Sequence, residues 1–160
     1  MKLPEVLPER LTIREGRKAD QQALIDFLAD CLAEFDLALD FDGTDRDLLE
    51  IEQAYRDGYF GVIESGDTLA GTFALFPLSD DTAEIRKMYL SAEWRGRGLG
   101  RQLLATLEDM ARRKGFQRIE LETASPMHAA IHVYQSSGYR EMPASGCGNR
   151  CDRRFFKQLA

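Results

Sequence analysis

A glycine-rich run at residues 95–101 constrains the fold of this chain more than any other feature. The run reads RGRGLGR and lies between a segment that alternates like a strand and a long amphipathic segment. The N-terminus of a helix presents unpaired N–H groups and a partial positive charge. Glycines let a phosphate approach those N–H groups closely, and the flanking arginines add positive charge. The run therefore predicts a pyrophosphate cradle at the start of a helix.

Two other phosphate-binding loops do not fit this run. A P-loop needs Gly-Lys followed by Ser or Thr after its spacer, and the run lacks that ending. A dinucleotide fingerprint needs a third glycine where Arg101 stands, and it opens a parallel βαβ unit. The alternative that stays open is a structural glycine turn with surface arginines.

Hydropathy periodicity predicts one mixed α/β domain over residues 1–160. The order is a strand, two helices, three antiparallel strands, a helix, a strand, a helix and two strands. The strands are expected at 11–15, 59–64, 69–78, 83–90, 118–123, 139–142 and 153–159. The helices are expected at 20–35, 46–55, 99–115 and 126–136, with an acidic loop at 36–44.

Composition narrows the classes of function. The chain has 160 residues, 44% of them hydrophobic and 30% charged, which is typical of a globular protein. No apolar run approaches the roughly 18 residues of a membrane helix, and the first residues show no signal peptide. Three cysteines make no disulfide framework, so we expect a cytoplasmic protein. The net charge of −6 argues against nucleic-acid and anionic-membrane partners.

Charge is distributed unevenly along the chain. Residues 20–57 carry twelve acidic side chains and two basic ones, whereas residues 84–118 carry nine basic and four acidic ones. Both segments are typical of solvated helix faces. If they border one cleft instead, that cleft suits an anionic ligand on one side and a cationic ligand on the other.

Two motifs resemble the GNAT superfamily of acetyl-CoA-dependent N-acetyltransferases. Arg95, Gly98 and Gly100 match the family signature Arg/Gln-x-x-Gly-x-Gly/Ala between a strand and a helix. A later motif of the family matches at Ala130, Tyr134, Gly138 and Tyr139. The resemblance covers residues 83–141, and the N-terminal third matches in element order alone. An asparagine that many members carry seven residues before the tyrosine is Met127 here.

The resemblance implies a central, mostly antiparallel sheet that splays between its fourth and fifth strands and is flanked by about four helices. It also implies acetyl-CoA as the acyl donor. The pantetheine arm would pair with the backbone of the fourth strand, and the pyrophosphate would lie on the glycine run. The implied cofactor-binding residues are Met88, Tyr89, Leu90, Arg95, Gly96, Arg97, Gly98, Leu99, Gly100 and Arg101.

The resemblance also implies the catalytic residues. Tyr134 matches the general acid that would protonate the departing thiolate, although a tyrosine packed in the core is the alternative. Glu84 matches a position that some members use as the base for the attacking amine, with Glu122 in reserve. An exposed strand glutamate is the alternative for Glu84.

The acceptor is harder to predict. The loop at 36–42 mixes acidic and aromatic residues, so Asp36, Asp40 and Asp42 suit a cationic amine with an apolar stem. A polyamine, aminoglycoside, amino acid, peptide N-terminus or protein lysine remains open. Two further alternatives also remain open: a longer acyl donor, and an acyl-CoA sensor that catalyses no reaction. Relatives often form homodimers through terminal strands, and the oligomeric state of this chain remains open as well.

Two residue pairs raise the question of zinc. Cys147 and Cys151 are four residues apart, as are His128 and His132. The cysteine spacer is longer than the usual two-residue knuckle, and members of the resembled family generally need no metal. We therefore expect no metal site, and favour loop thiols, with a reversible disulfide as the alternative, and surface histidines. Cys31 lies on the apolar face of the first helix and is expected in the core.

Overall fold

The computed structural model describes residues 10–145 and 150–159. Within them the helices are α1 (Gln21–Ala33), α2 (Ile51–Ala54), α3 (Leu99–Arg113) and α4 (His128–Ser136). The strands are β1 (Leu11–Glu15), β2 (Tyr59–Ser65), β3 (Thr68–Pro77), β4 (Thr82–Leu90), β5 (Arg118–Thr123), β6 (Arg140–Met142) and β7 (Arg153–Gln158). The predicted mixed α/β fold is confirmed.

The strands of the described residues form one sheet in the order β1-β2-β3-β4-β5-β7-β6. Strands β2 to β4 form the predicted antiparallel meander, and β1 pairs antiparallel with β2. Strand β5 is parallel to β4 and antiparallel to β7, which lies between β5 and β6. The predicted mostly antiparallel sheet, splayed between its fourth and fifth strands, is confirmed.

Strands β4 and β5 pair at their N-terminal ends and separate toward their C-terminal ends. Their paired residues run from Thr82–Arg118 to Ile85–Leu121, whereas β4 continues to Leu90. In the same stretch, the register between β3 and β4 shifts, and Lys87 adopts a positive φ of 50°. A non-glycine residue with positive φ is strained, and such strain is often found at functional sites. The bulge at Lys87 bends β4 where its pairing with β5 ends.

Hydrophobic clusters cover both faces of the sheet. On one face, Leu103 and Leu107 of α3 pack with Phe73, Ile119 and Phe155. On the other face, Leu24 and Leu28 of α1 and the neighbouring Leu48 and Tyr55 pack with Phe60 and Val62 of β2. The apolar residues of α3 recur every three or four positions, so they form one stripe that the sheet buries.

The predicted continuous helix at 46–55 is wrong. Residues Arg46–Leu49 form a 3-10 turn, and α2 is a single turn of helix. Glu50 separates the two at φ −147° and ψ 57°, outside the helical region. The polar residues Asp45 and Asp47 are buried. The backbone of this segment therefore accommodates their contacts and does not form the helix that its hydrophobic spacing predicts.

Candidate active site

A cleft opens where β4 and β5 separate, with a cavity volume of about 80 Å³. One wall is the stretch of β4 from Glu84 to Tyr89, and the other includes Glu122 at the end of β5. Helix α4 contributes Tyr134, and residues Leu37 and Thr44 come from the loop after α1. Side chains from both faces of the sheet therefore meet in one space.

The glycine run forms an open turn at the start of α3. Gly96 and Gly98 have φ of 74° and 79°, and a Cβ atom on either would meet nothing within 4 Å. The Gly98 carbonyl accepts from the Gln102 N–H at 3.3 Å, at the start of the hydrogen-bond pattern of α3. The N–H groups of the residues just before Gln102 therefore have no acceptor within the helix. A Cβ on Gly100 would lie 3.9 Å from Cε of Met88, which brings this helix end beside the cleft strand.

The arginines of the glycine run differ in their contacts. Arg95 donates from Nε to the Leu90 carbonyl at 2.9 Å, and its Nη1 pairs with Oε2 of Glu34 at 2.5 Å. Its side chain thus ties the run to the end of β4 and to the end of α1. Arg97 lies over the Trp94 ring, 4.8 Å from the ring centroid, and both Arg97 and Arg101 are exposed. Their charge is available to an anion, whereas the Arg95 charge is used by Glu34.

Tyr134 is both a core residue and a cleft residue. Its side chain is 6% exposed, and its ring packs against those of Tyr139 and Phe155 at centroid distances of 6.1 and 6.3 Å. Among the described residues its hydroxyl makes no hydrogen bond, and the residue lines the cleft. Burial raises the pKa of Tyr134 well above its usual value, so the hydroxyl keeps its proton at neutral pH.

The two glutamates of the cleft differ in environment. Glu84 is 8% exposed and accepts a hydrogen bond from Nε of Arg86. Burial raises the pKa of Glu84 although the charge of Arg86 acts against the shift. Glu122 is less buried, and its Oε2 accepts from Sγ of Cys151 at 3.2 Å. The cleft therefore holds two glutamate side chains and a protonated phenol, and both kinds of group can act in proton transfer.

Comparison with known proteins identifies the family. The model of the acetyltransferase (GNAT) family matches residues 23–139. The chain belongs to this family. It is 29% identical to the uncharacterized N-acetyltransferase YjgM of Escherichia coli (strain K12), over 96% of this chain and 98% of that one. It is 28% identical to N-acetyltransferase 8F1 of Rattus norvegicus over 59% of this chain, and it spans 46% of that longer protein.

Solved structures agree with the family assignment. An acetyltransferase of the GNAT family from Staphylococcus aureus has a TM-score of 0.84 at 23% identity, covering 94% of this chain and 99% of that one. The yncA protein of Salmonella typhimurium, solved with its cofactor acetyl-CoA, has a TM-score of 0.69 at 26% identity and covers 95% of both chains. The chain is an acyltransferase, and the donor of its family is acetyl-CoA.

The residues present fit that donor. The helix N-terminus at Leu99 presents N–H groups beside two open glycines, which suits a pyrophosphate. The part of β4 beyond Ile85 lies past its last residue paired with β5, which leaves room for an extended arm along β4. Met88 and Tyr89 line the cleft, and Leu90 leads from β4 toward the glycine run.

The acidic loop does not form the cleft wall in the way that its sequence suggests. Leu37 and Thr44 line the cleft, but Asp36, Asp40 and Asp42 are not among its lining residues. Asp36 closes the end of α1 at a positive φ of 57°, and the Asp40 N–H donates to Asp45 at 2.8 Å. The lining of the cleft therefore gives no support to the role in acceptor binding that the sequence predicts for these three acids.

Sequence reasoning missed a buried charge cluster beside the cleft. Nζ of Lys87 forms ion pairs with Asp45 at 3.0 Å and with Asp47 at 3.1 Å. Arg150 pairs with Asp45 from the other side, and the Tyr55 hydroxyl donates to Asp47. The cluster joins the loop after α1, the bulge of β4 and the segment before β7. No local sequence pattern marks this cluster, since its members are up to 105 residues apart.

The candidate zinc ligands have other surroundings. His128 and His132 are exposed on α4, as expected. Cys31 is buried as expected, and burial raises its pKa to about 11. Cys147 lies outside the described residues. In the described part of the chain, no group of three or more His, Cys, Asp or Glu is arranged to hold a metal ion. None of the described helices is both long and apolar enough to cross a membrane.

Proposed function

We propose that the chain transfers an acetyl group from acetyl-CoA to a primary amine of a small molecule or peptide, by direct attack in a ternary complex. The convergence of Tyr134, Glu84 and Glu122 on one cleft beside an open helix N-terminus carries this proposal. We also propose that residues 1–160 are one acetyltransferase domain. Its cysteine usage and its net charge of −6 support a cytoplasmic enzyme that does not bind nucleic acid.

The backbone would hold the donor. The N–H groups between Arg95 and Arg101 would bind its pyrophosphate, and the backbone of Met88, Tyr89 and Leu90 would pair with its arm. Arg97 and Arg101 add positive charge at the exposed side of the run. When bound, acetyl-CoA supplies a thioester carbonyl as the electrophile. An N–H of the separated part of β4 would stabilise negative charge that develops on the carbonyl oxygen.

The amine must lose a proton before it attacks. A lysine-like amine with a pKa of about 10.4 is neutral in few molecules at pH 7, which costs roughly 4–5 kcal/mol. Glu84 would accept that proton, directly or through water, because its raised pKa brings it nearer to neutral pH. Tyr134 would donate its hydroxyl proton to the departing thiolate, since burial keeps that hydroxyl protonated.

A thiol-release assay with acetyl-CoA and a panel of amines tests this function. Calorimetric binding of acetyl-CoA is measured on the same sample. We expect binding and turnover with one class of amine. Binding without turnover of any amine would favour an acyl-CoA sensor or an acceptor on a protein lysine or N-terminus. A protein that does not bind acetyl-CoA would contradict the assignment of the glycine run.

The pH dependence of the reaction distinguishes the two candidate bases. If Glu84 is the base, kcat falls as pH decreases through its pKa, because the protonated carboxyl cannot accept a proton. Since that pKa is raised, the fall begins above the range of an ordinary glutamate. We expect Glu84→Gln to lower kcat by about 100-fold and to remove this acidic limb. The matched variant Glu122→Gln keeps the limb, and the opposite pattern would assign the base to Glu122.

A further inference from the structure

Arg150 presents part of its guanidinium to the cleft. The residue lies just before β7, lines the cleft and has a side chain that is 14% exposed. Both Nη atoms bind the Asp45 carboxylate, with Nη2 lying 2.9 Å from Oδ1. Nη1 also donates to the Ala38 carbonyl at 3.3 Å. These contacts use three of the five N–H groups of the guanidinium.

The other two N–H groups form a second binding edge. Nε–H and the remaining Nη2–H of Arg150 make no hydrogen bond to any residue that the structure describes. They point the same way along one side of the planar guanidinium, which is the geometry that binds both oxygens of a carboxylate. Nε of Arg154 is closed off from solvent and makes no hydrogen bond within the described residues, whereas Nε of Arg150 is not closed off from solvent. A ligand in the cleft can therefore reach this edge.

The other cations of the cleft lack such an edge. Nζ of Lys87 has three donors, and it faces Asp45, Asp47 and the Thr44 carbonyl, the last at 3.2 Å. Arg86 uses its Nε for Glu84. Its guanidinium also lies over the Phe76 ring, 3.7 Å from the centroid.

Glutamates of the protein line the same cleft as Arg150. Cys151 follows Arg150 in the chain, and its Sγ donates to Glu122 at 3.2 Å. Glu122 and Glu84 can attract an ammonium group, while Arg150 attracts an anion. The cleft is thus complementary to a molecule that carries both charges close together. A polyamine would instead bring a second cation against Arg150.

We infer that Arg150 binds a carboxylate of the acceptor, and that the acceptor is an α-amino acid or a similar small molecule with a carboxylate beside its amine. This inference rests on the proposed function and names its substrate class. The amine would lie on the side of Glu84 and Glu122, and the carboxylate on the side of Arg150. Arg150 is then a specificity-determining residue for the acceptor.

Matched acceptors test the inference. Values of kcat/KM are measured for a panel of amino acids, for their primary amides and for the corresponding amines without a carboxyl group. A charged, two-pronged hydrogen bond predicts a preference of about 10- to 100-fold for the free carboxylate. Arg150→Lys retains a positive charge for Asp45 but loses the planar edge. We expect it to reduce that preference about tenfold through KM. The affinity for acetyl-CoA should not change.

Arg14→Lys is the matched control. Arg14 also binds an aspartate through both Nη atoms, at 2.8 and 2.7 Å from Asp20, but its Nε donates to Glu64 and the residue does not line the cleft. Its variant should leave the preference unchanged. Equal turnover of acids and amides, or an equal loss for all acceptors in Arg150→Lys, would overturn the carboxylate site and leave the acetyltransferase function standing. Binding of acetyl-CoA without turnover of any amine would overturn both.

Discussion

Replacing Tyr134 by phenylalanine should lower kcat by about 100-fold or more while the affinity for acetyl-CoA stays the same. The substitution removes one hydroxyl and keeps the ring that packs against Tyr139 and Phe155. Because that hydroxyl has no hydrogen bond within the described residues, its removal leaves no partner unsatisfied there. The fold should therefore be retained, and the loss of kcat should arise only because the departing thiolate no longer receives a proton from Tyr134.

Single-turnover kinetics give the sharpest measurement of this loss, because product release can hide a slower chemical step in kcat. The pH profile gives a second test. Burial raises the pKa of Tyr134, so the wild-type enzyme should not lose activity through this group as pH rises within the neutral range. A phenylalanine variant with unchanged single-turnover rates would remove Tyr134 from the mechanism.

Tyr139→Phe is a matched control for this variant. Tyr139 is also buried, and its ring is a direct neighbour of Tyr134, but it does not line the cleft. Its hydroxyl donates to Glu108 at 3.2 Å, so its loss should reduce stability by about 1 kcal/mol. Single-turnover rates should stay within about twofold of wild type. If both variants lost activity alike, packing around α4 would explain the effect better than proton transfer.

The elements around the glycine run could be predicted because their signals are local. The segment 83–90 alternates like a strand, and the helix that follows has one apolar stripe ending near Gly115. The structure has β4 at Thr82–Leu90 and α3 at Leu99–Arg113, with Gly115 at a positive φ of 91°. A glycine that must adopt this conformation is visible in the sequence itself.

The segment after α1 could not be predicted in this way. Its hydrophobic spacing suggests a helix, yet Asp45 and Asp47 are drawn into contacts with Lys87 on β4 and, for Asp45, with Arg150. These contacts interrupt the helix at Glu50. A local pattern carries no information about partners that are 40 to 105 residues away, so the burial of these acids could not be predicted from the sequence.

The candidate site was predictable in part for the same reason. The sequence resemblance identified Tyr134, Glu84 and Glu122, and the structure brings all three to one cleft. It did not identify Arg150, because no motif includes it and its role depends on β7 lying beside β5. The order of the last strands, which hydropathy alone does not determine, brings this residue to the cleft.

Replacing Asp45 by asparagine should reduce the free energy of unfolding by about 3 kcal/mol or more. Asp45 is completely buried and is shared by Lys87 and Arg150, with Nζ of Lys87 at 3.0 Å. Asparagine preserves the shape of the side chain but removes its charge. The buried Lys87 would then keep only the carboxylate of Asp47, and the partly buried Arg150 would lose its paired carboxylate. An uncompensated buried charge is strongly destabilising. The melting temperature should fall by roughly 6–12 °C for a chain of this size.

Acidic pH should lower the free energy of unfolding of the wild-type protein through protonation of Asp45. Burial alone would raise the pKa of Asp45, but the hydrogen bonds from Arg150 and the charge of Lys87 outweigh it, so the pKa is lowered. A lowered pKa means that the folded state favours the ionised form. Its stabilising effect is present above the pKa of about 3.9 in the unfolded chain and is lost as pH falls through the folded-state pKa. The Asp45→Asn variant lacks this contribution, so its free energy of unfolding should decrease less steeply than that of the wild type as pH falls.

Asp20→Asn separates burial from ion pairing. Asp20 also binds an arginine through both oxygens and accepts a backbone N–H, at 2.8 Å from Arg17, but its side chain is 17% exposed. Water can solvate the arginine that remains, so this variant should cost about 1 kcal/mol or less. Chemical denaturation of both variants at neutral pH measures the difference. Equal losses would show that the cluster around Lys87 is solvated in solution, and that Arg150 is not held in place by a buried partner.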